Sequence, residues 1–150
     1  MPELPDIDVY IETLEPRIIG QTLISIRVSK PFLVRSVDPP LHSANNKKVI
    51  ALRRIGKRIA IGLEDDLWLV LHLMIAGRLH WREDTVRIGG KQQLAAFDFS
   101  SGTLLLTEAG TRKRASLYLV RGLQALNEHD PGGIEPLDCD FESFSERLLA

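Results

Sequence analysis

One cysteine, Cys139, occurs in the 150 residues of the chain. A lone thiol cannot close an internal disulfide, and it cannot build a structural zinc site, which takes about four ligands. No run of about 18 consecutive apolar residues is present, so no membrane-spanning helix and no membrane partner are expected. The chain opens Met1-Pro2-Glu3-Leu4-Pro5-Asp6, where a secretory leader would begin with a basic segment followed by an apolar one; a soluble, cytoplasmic protein is therefore expected. Internal repeats and low-complexity tracts are also lacking.

A basic excess is missing as well. The formal net charge is −1, which taken alone argues against a nucleic-acid partner. The distribution is uneven, however. Residues 21–60 carry nine Lys and Arg against Asp38 alone, whereas residues 122–150 carry seven acids against Arg147. Such runs are often no more than solvated faces, so composition by itself decides nothing.

What the chain does have is apolar content, 44%, enough at this length to bury one sizeable core. Apolar positions Ile7, Val9, Tyr10, Ile11, Leu14 and Ile18 recur at roughly helical spacing, with Pro5 suited to a first turn and Gly20 to a stop, which predicts a helix over 5–19. Short β-rich runs follow at 22–28, 48–54, 58–63, 67–73, 94–99, 103–107 and 115–120. Glu64-Asp65-Asp66 and Ser100-Ser101-Gly102 read as tight connections between consecutive strands. Segments 38–46 and 87–91 read as loops, and 122–127 as a short helix. The expected fold is mainly β with flanking helices, an antiparallel β-sandwich with an N-terminal helix. Residues 141–150 have helical character with no cap or glycine after Leu149, so the chain is expected to end inside the first helix of another domain.

The chemistry-bearing signal is the first six residues. Removal of Met1 would expose Pro2 as a secondary amine, and an α-amino group titrates near about 7.7–8.0, well below a lysine at about 10.4. Such an amine is partly unprotonated at neutral pH and nucleophilic. Attack on a sugar C1′ gives an iminium that is cationic without binding a proton, an electron sink for elimination. Glu3 beside it is a candidate general acid or base. The bland alternative is that Pro2 and Pro5 frame a helix start and Glu3 favours its N-terminus. If Met1 is retained, the proline nitrogen is locked in a peptide bond.

Pro2-Glu3-Leu4-Pro5-Asp6-Ile7-Asp8 resembles the Pro-Glu-Leu-Pro-Glu-Val-Glu opening of the formamidopyrimidine-DNA glycosylase and endonuclease VIII family. The resemblance implies that Pro2 is a Schiff-base nucleophile and that Glu3 is essential for catalysis. A second block, Leu52-Arg53-Arg54-Ile55-Gly56-Lys57-Arg58, is similar to the family's Arg-Arg-x-x-Lys element, which implies that Lys57 sits on a β-hairpin and binds phosphate beside the lesion, with Arg53, Arg54 and Arg58 around it. Without the first block, Lys57 would read as a solvated turn lysine. A third, Leu71-His72-Leu73-Met74-Ile75-Ala76-Gly77, resembles His-Leu-Gly-Met-Ser-Gly. It makes His72 a phosphate ligand, against the alternative of a core histidine, and leaves Met74 or Ile75 to fill the gap of an extruded base.

The fourth block departs from the family. Where its oxidised-purine enzymes carry Asp-Pro-Arg-Arg-Phe-Gly, this chain has Glu108-Ala109-Gly110-Thr111-Arg112-Lys113-Arg114-Ala115-Ser116. The basic residues Arg112, Lys113 and Arg114 remain as expected DNA contacts, but the aromatic wedge does not. The resemblance implies residues 1–135 as a catalytic β-sandwich domain and 136–150 as a linker and the start of a truncated helix-two-turn-helix domain. It implies a bifunctional DNA glycosylase and abasic-site lyase acting on oxidised bases in base-excision repair, with damaged double-stranded DNA as partner and a monomeric full-length protein. It implies no cofactor or metal in this chain; a zinc or zincless finger would belong to the absent region, and the fragment alone should have little activity. An inactive DNA-binding or protein-interaction domain of the same fold is the alternative.

Overall fold

The computed structural model describes residues 7–74, 76–84, 87, 90, 92–109 and 114–129. Its elements are α1 (Ile7–Ile18), β1 (Thr22–Val28), β2 (Lys47–Ile55), β3 (Arg58–Leu63), β4 (Leu67–His72), β5 (Gly77–Arg82), β6 (Gln93–Phe99), β7 (Gly102–Glu108), β8 (Ser116–Arg121) and α2 (Leu123–Asn127). Helix α1 buries Ile7, Leu14 and Ile18 on one face and ends before Gly20, whose φ of 84° is the left-handed conformation that closes many helices.

All strand pairings are antiparallel, and the strands run in the order β5-β7-β6-β1-β2-β3-β4-β8. The β1–β2 seam is short, Thr22↔Lys48 and Leu23↔Lys47, so the strands form two four-stranded layers folded against each other. Leu23, Phe97, Leu104 and Leu106 of the first layer and Ile59, Ile61, Leu69, Leu71, Leu117 and Leu119 of the second make one buried cluster. Phe97 at its centre is fully buried, and truncation of such a side chain to alanine costs about 3–5 kcal/mol. Apart from Arg58 and His72 at their paired ends, strands β3 and β4 are continuous apolar runs because both their faces are covered: the inner by the first layer, the outer by a second cluster of Ile55, Ala60, Trp68, Val70 and Leu126 of α2.

Seven expected strands are present with boundaries moved by a residue or two, and β5 is an eighth. Arg78, His80 and Arg82 of β5 alternate with the better-buried Leu79 and Trp81 that face inward, a half-buried strand pattern that the motif reading of this stretch had passed over. The 38–46 loop contains a single helical turn, Leu41–Ala44. The two end strands are flanked by other elements. On β8, Leu117 accepts from the Arg35 N–H, and Leu119 N–H donates to the Ser36 hydroxyl; on β5, Leu79 N–H donates to the Tyr10 hydroxyl of α1. No helix among the described residues is long and apolar enough to cross a membrane. The predicted domain boundary at 135 and the whole of 136–150 lie outside the described residues.

Candidate nucleic-acid interface

The β2–β3 turn is a two-residue hairpin, Ile55 pairing with Arg58 across Gly56-Lys57. Gly56 has φ 61°, which glycine adopts without steric penalty and which suits the twist of a tight hairpin. The turn holds Lys57 out in solvent. Consecutive residues on β2 point to opposite faces, so the neighbouring arginines part company. Arg54 reaches α1, pairing with Asp8 at 2.9 Å, and its Nε donates to the Gly56 carbonyl at 2.8 Å. The start of α1 is thereby tied to the Lys57 turn.

Arg53 points the other way, onto the outer face of the second layer. Its guanidinium lies 5.5 Å from the centroid of the Trp68 ring, and burial lowers its pKa from the usual arginine value. Its Nε and Nη1 are buried with no hydrogen-bond partner among the described residues.

Arg58 and His72 are register partners on β3 and β4, and Arg58 Nε donates to His72 Nδ1 at 3.3 Å. Arg58 also donates to the His129 carbonyl, and the His129 ring lies 4.5 Å from that of Tyr118. Both histidines have pKa values below the usual range. For His72 the causes are burial, then the charges of Arg58 and Lys57; for His129 they are burial, then Arg58, with Glu128 opposing. The Arg58-His72-His129-Tyr118 group is not visible in the sequence spacing, because His129 is reached only through the fold.

Two connections between the layers leave and re-enter paired strand ends here. β4 leads to β5 through Leu73–Ala76, and β7 leads to β8 through 109–115; His72 pairs with Ser116 and Gly77 with Glu108. Gly77 N–H closes the first connection on the Leu73 carbonyl at 2.9 Å, with Met74 at φ 59°. In the second, the buried carboxylate of Glu108 accepts from the backbone N–H groups of Arg114 and Ala115 at 3.0–3.2 Å. Arg114 is exposed, whereas Ala115, aligned with the family's aromatic wedge, is fully buried in the core.

The structure therefore brings Lys57, Arg58, His72, Met74 and Arg114 to the turns and strand ends of one end of the sandwich, with Arg54 linking them to α1. Arg53 stands inboard, on the sheet face. Pro2, Glu3, Ile75, Arg112 and Lys113 lie outside the described residues. Of the nine cations in 21–60, three are in ion pairs: Arg54, Lys47 with Asp65, and Arg27 with Asp98 at 2.8 Å on the far layer. The basic run is thus dispersed by the fold. Among the described residues no group of three or more His, Cys, Asp and Glu is placed to hold a metal ion.

Comparison with known proteins converges on one family. The family described as "Formamidopyrimidine-DNA glycosylase N-terminal domain" matches residues 1–116. The formamidopyrimidine-DNA glycosylase of Lactobacillus johnsonii is 33% identical over 122 residues, 80% of this chain and 43% of the relative. That of Mycoplasma genitalium is 26% identical over 144 residues, 95% of this chain and 50% of the relative. Among solved structures, the Lactococcus lactis enzyme bound non-covalently to DNA containing an abasic site superposes with a TM-score of 0.72 at 26% identity, covering 84% of this chain and 48% of that one. An inhibited form with DNA containing N7-benzyl-Fapy-dG gives 0.73 at 26%, covering 85% and 47%. The chain spans about half the length of the relatives it matches.

Proposed function

Because the chain belongs to the formamidopyrimidine-DNA glycosylase family, we propose that it is the nucleophile-bearing half of a base-excision repair enzyme that removes oxidised bases from duplex DNA and then nicks the strand. The observation that carries this reading is the gathering of the α1 start, the Lys57 turn, His72 and the two layer-bridging connections at one end of the sandwich. A solvent-exposed lysine, a neutral histidine and an exposed arginine there suit a phosphate backbone.

A base stacked in a duplex shields its C1′, so the nucleotide must first be rotated out, at a cost of a few kcal/mol. Lys57, His72 and Arg114 hold the distorted backbone, and Met74 or Ile75 fills the vacated step. The unprotonated amine of Pro2, free once Met1 is removed, attacks C1′. The C1′–N bond breaks and the base departs with the electron pair and a proton. Glu3 moves a proton at the sugar as the ring opens to the iminium. The iminium acidifies C2′; loss of a C2′ proton drives the electron pair toward nitrogen and expels the 3′ phosphate, which is β-elimination, and δ-elimination then releases the 5′ phosphate. The opposite wall of the DNA cleft comes from the remainder of the protein.

Borohydride reduction tests the proposal, because it converts the iminium to a stable amine. The protein containing this chain, with Met1 removed, is expected to crosslink to an abasic-site duplex, and Pro2→Gly to reduce the crosslink severely. Equal crosslinking by a form with a blocked terminus would transfer the chemistry to an internal lysine. No crosslink with an exposed Pro2 would favour the inactive DNA-binding alternative.

A further inference from the structure

Among the described residues Glu108 is the only charged side chain in the buried class, at 1% exposure. It ends β7, follows Leu104 and Leu106 on the inward face, and lies at the mouth of the sandwich. A carboxylate there is unfavourable unless its oxygens are satisfied. Both oxygens accept from the Arg114 N–H at 3.0 Å each and from the Ala115 N–H at 3.2 and 3.0 Å. The acceptor is on the first layer and the donors lead into β8 on the second, so one side chain ties together the two ends of the connection that carries Arg112, Lys113 and Arg114. The same residue pairs with Gly77, where the Met74 turn re-enters the sheet. Two orphaned amides would remain if the carboxylate were removed.

We propose that Glu108 is a positioning residue for DNA binding: it fixes the separation of β7 and β8, and so presents the exposed Arg114, just ahead of β8, to the phosphate backbone. It touches no DNA itself. The inference rests on the reading above that this connection meets DNA, and its test separates the two.

The test is the salt dependence of lesion-duplex binding by the protein containing this chain. Each phosphate contact contributes about 0.9 to the slope of log K against log salt, a quantity that simple loss of stability does not change. Glu108→Ala is expected to lower the slope by about 0.9, as does Arg114→Ala. Combining the two should lower it no further. Glu108→Gln keeps one acceptor oxygen and the side-chain volume, should fall between, and serves if the alanine variant does not fold. Hydrogen exchange at the Ala115 amide should quicken in both. A normal slope in the Glu108 variants while Arg114→Ala lowers its own overturns the positioning role alone; additive losses in the combination do so too. A normal slope in Arg114→Ala overturns the reading that this end of the connection meets DNA, and the role of Glu108 with it.

Discussion

Arg58 Nε donates to His72 Nδ1 at 3.3 Å, a bond that assigns the ring proton of His72 to its other nitrogen. An accepting Nδ1 must be unprotonated, so the hydrogen is on Nε2, and the ring acts as a neutral donor. Its lowered pKa, from burial and the charges of Arg58 and Lys57, agrees with a neutral ring near pH 7. A neutral donor displaces no counterion. His72→Ala should weaken lesion-duplex binding roughly tenfold, about 1.4 kcal/mol, with an unchanged salt slope. Lys57→Ala should lower the slope by about 0.9. A shallower slope on loss of His72 would mean that the ring binds phosphate as a cation.

Stability should decline on mild acidification. His72, His80 and His129 all have pKa values below the ordinary 6.5, each with burial as the first cause. For His80 the charges of Arg82 and Arg78 add to it. Below 6.5 the unfolded chain binds protons that the folded chain resists, so stability is whole above that pH and is lost as pH falls toward the folded-state values. Urea midpoints should drop between about pH 7 and pH 5, with a smaller drop when the three histidines are replaced by glutamine. A midpoint that is flat or rises in this window contradicts the assignment.

Gly77 allows no side chain. A Cβ there would lie 2.3 Å from the Leu73 carbonyl oxygen, which is backbone and cannot swing aside. Gly77→Ala should destabilise by about 1–3 kcal/mol and shift the Met74 turn. Gly20 has open space around its Cβ position and only its φ of 84° to penalise alanine, about 1 kcal/mol. Thermal melts of both variants give the order, and a milder effect at Gly77 would show that the turn yields freely.

Discrimination by the base opposite the lesion should be weak. Ala115 is buried in the core, and residues 109–114 include no aromatic to occupy an unstacked step. A lysine at 113 is a flexible point donor, not a planar fork. Loss of one well-oriented reading contact amounts to about tenfold. Single-turnover excision of one lesion opposite each of the four bases should show a shallow preference; a steep one would require a reader from outside this connection.

Most of the strand pattern was legible because both faces of β3 and β4 are covered, so that all but their site-end residues, Arg58 and His72, are apolar. The division of the cations was not. Arg53 and Arg54 are neighbours in sequence, yet one lies on Trp68 and the other on Asp8, since a strand turns successive side chains to opposite faces. The positive run of 21–60 likewise depended on acids far along the chain, Asp65 and Asp98, to decide which charges remain available. The role of Glu108 was not legible, although it opens the fourth block, because it bonds the backbone amides of Arg114 and Ala115, which every residue but proline supplies.

An open sheet invites further strands to join at its ends, the route by which β proteins aggregate. Here the two end strands are guarded without strand partners. The β8 end is occupied by the passing segment of Arg35 and Ser36, and on β5 the Tyr10 hydroxyl takes an edge amide while Arg78 and Arg82 place charge along the strand. The Tyr10 hydroxyl, on the helix that follows the candidate nucleophile in sequence, therefore takes one backbone donor away from that edge. Loss of that hydroxyl would be felt as a tendency to associate before it was felt as a loss of fold.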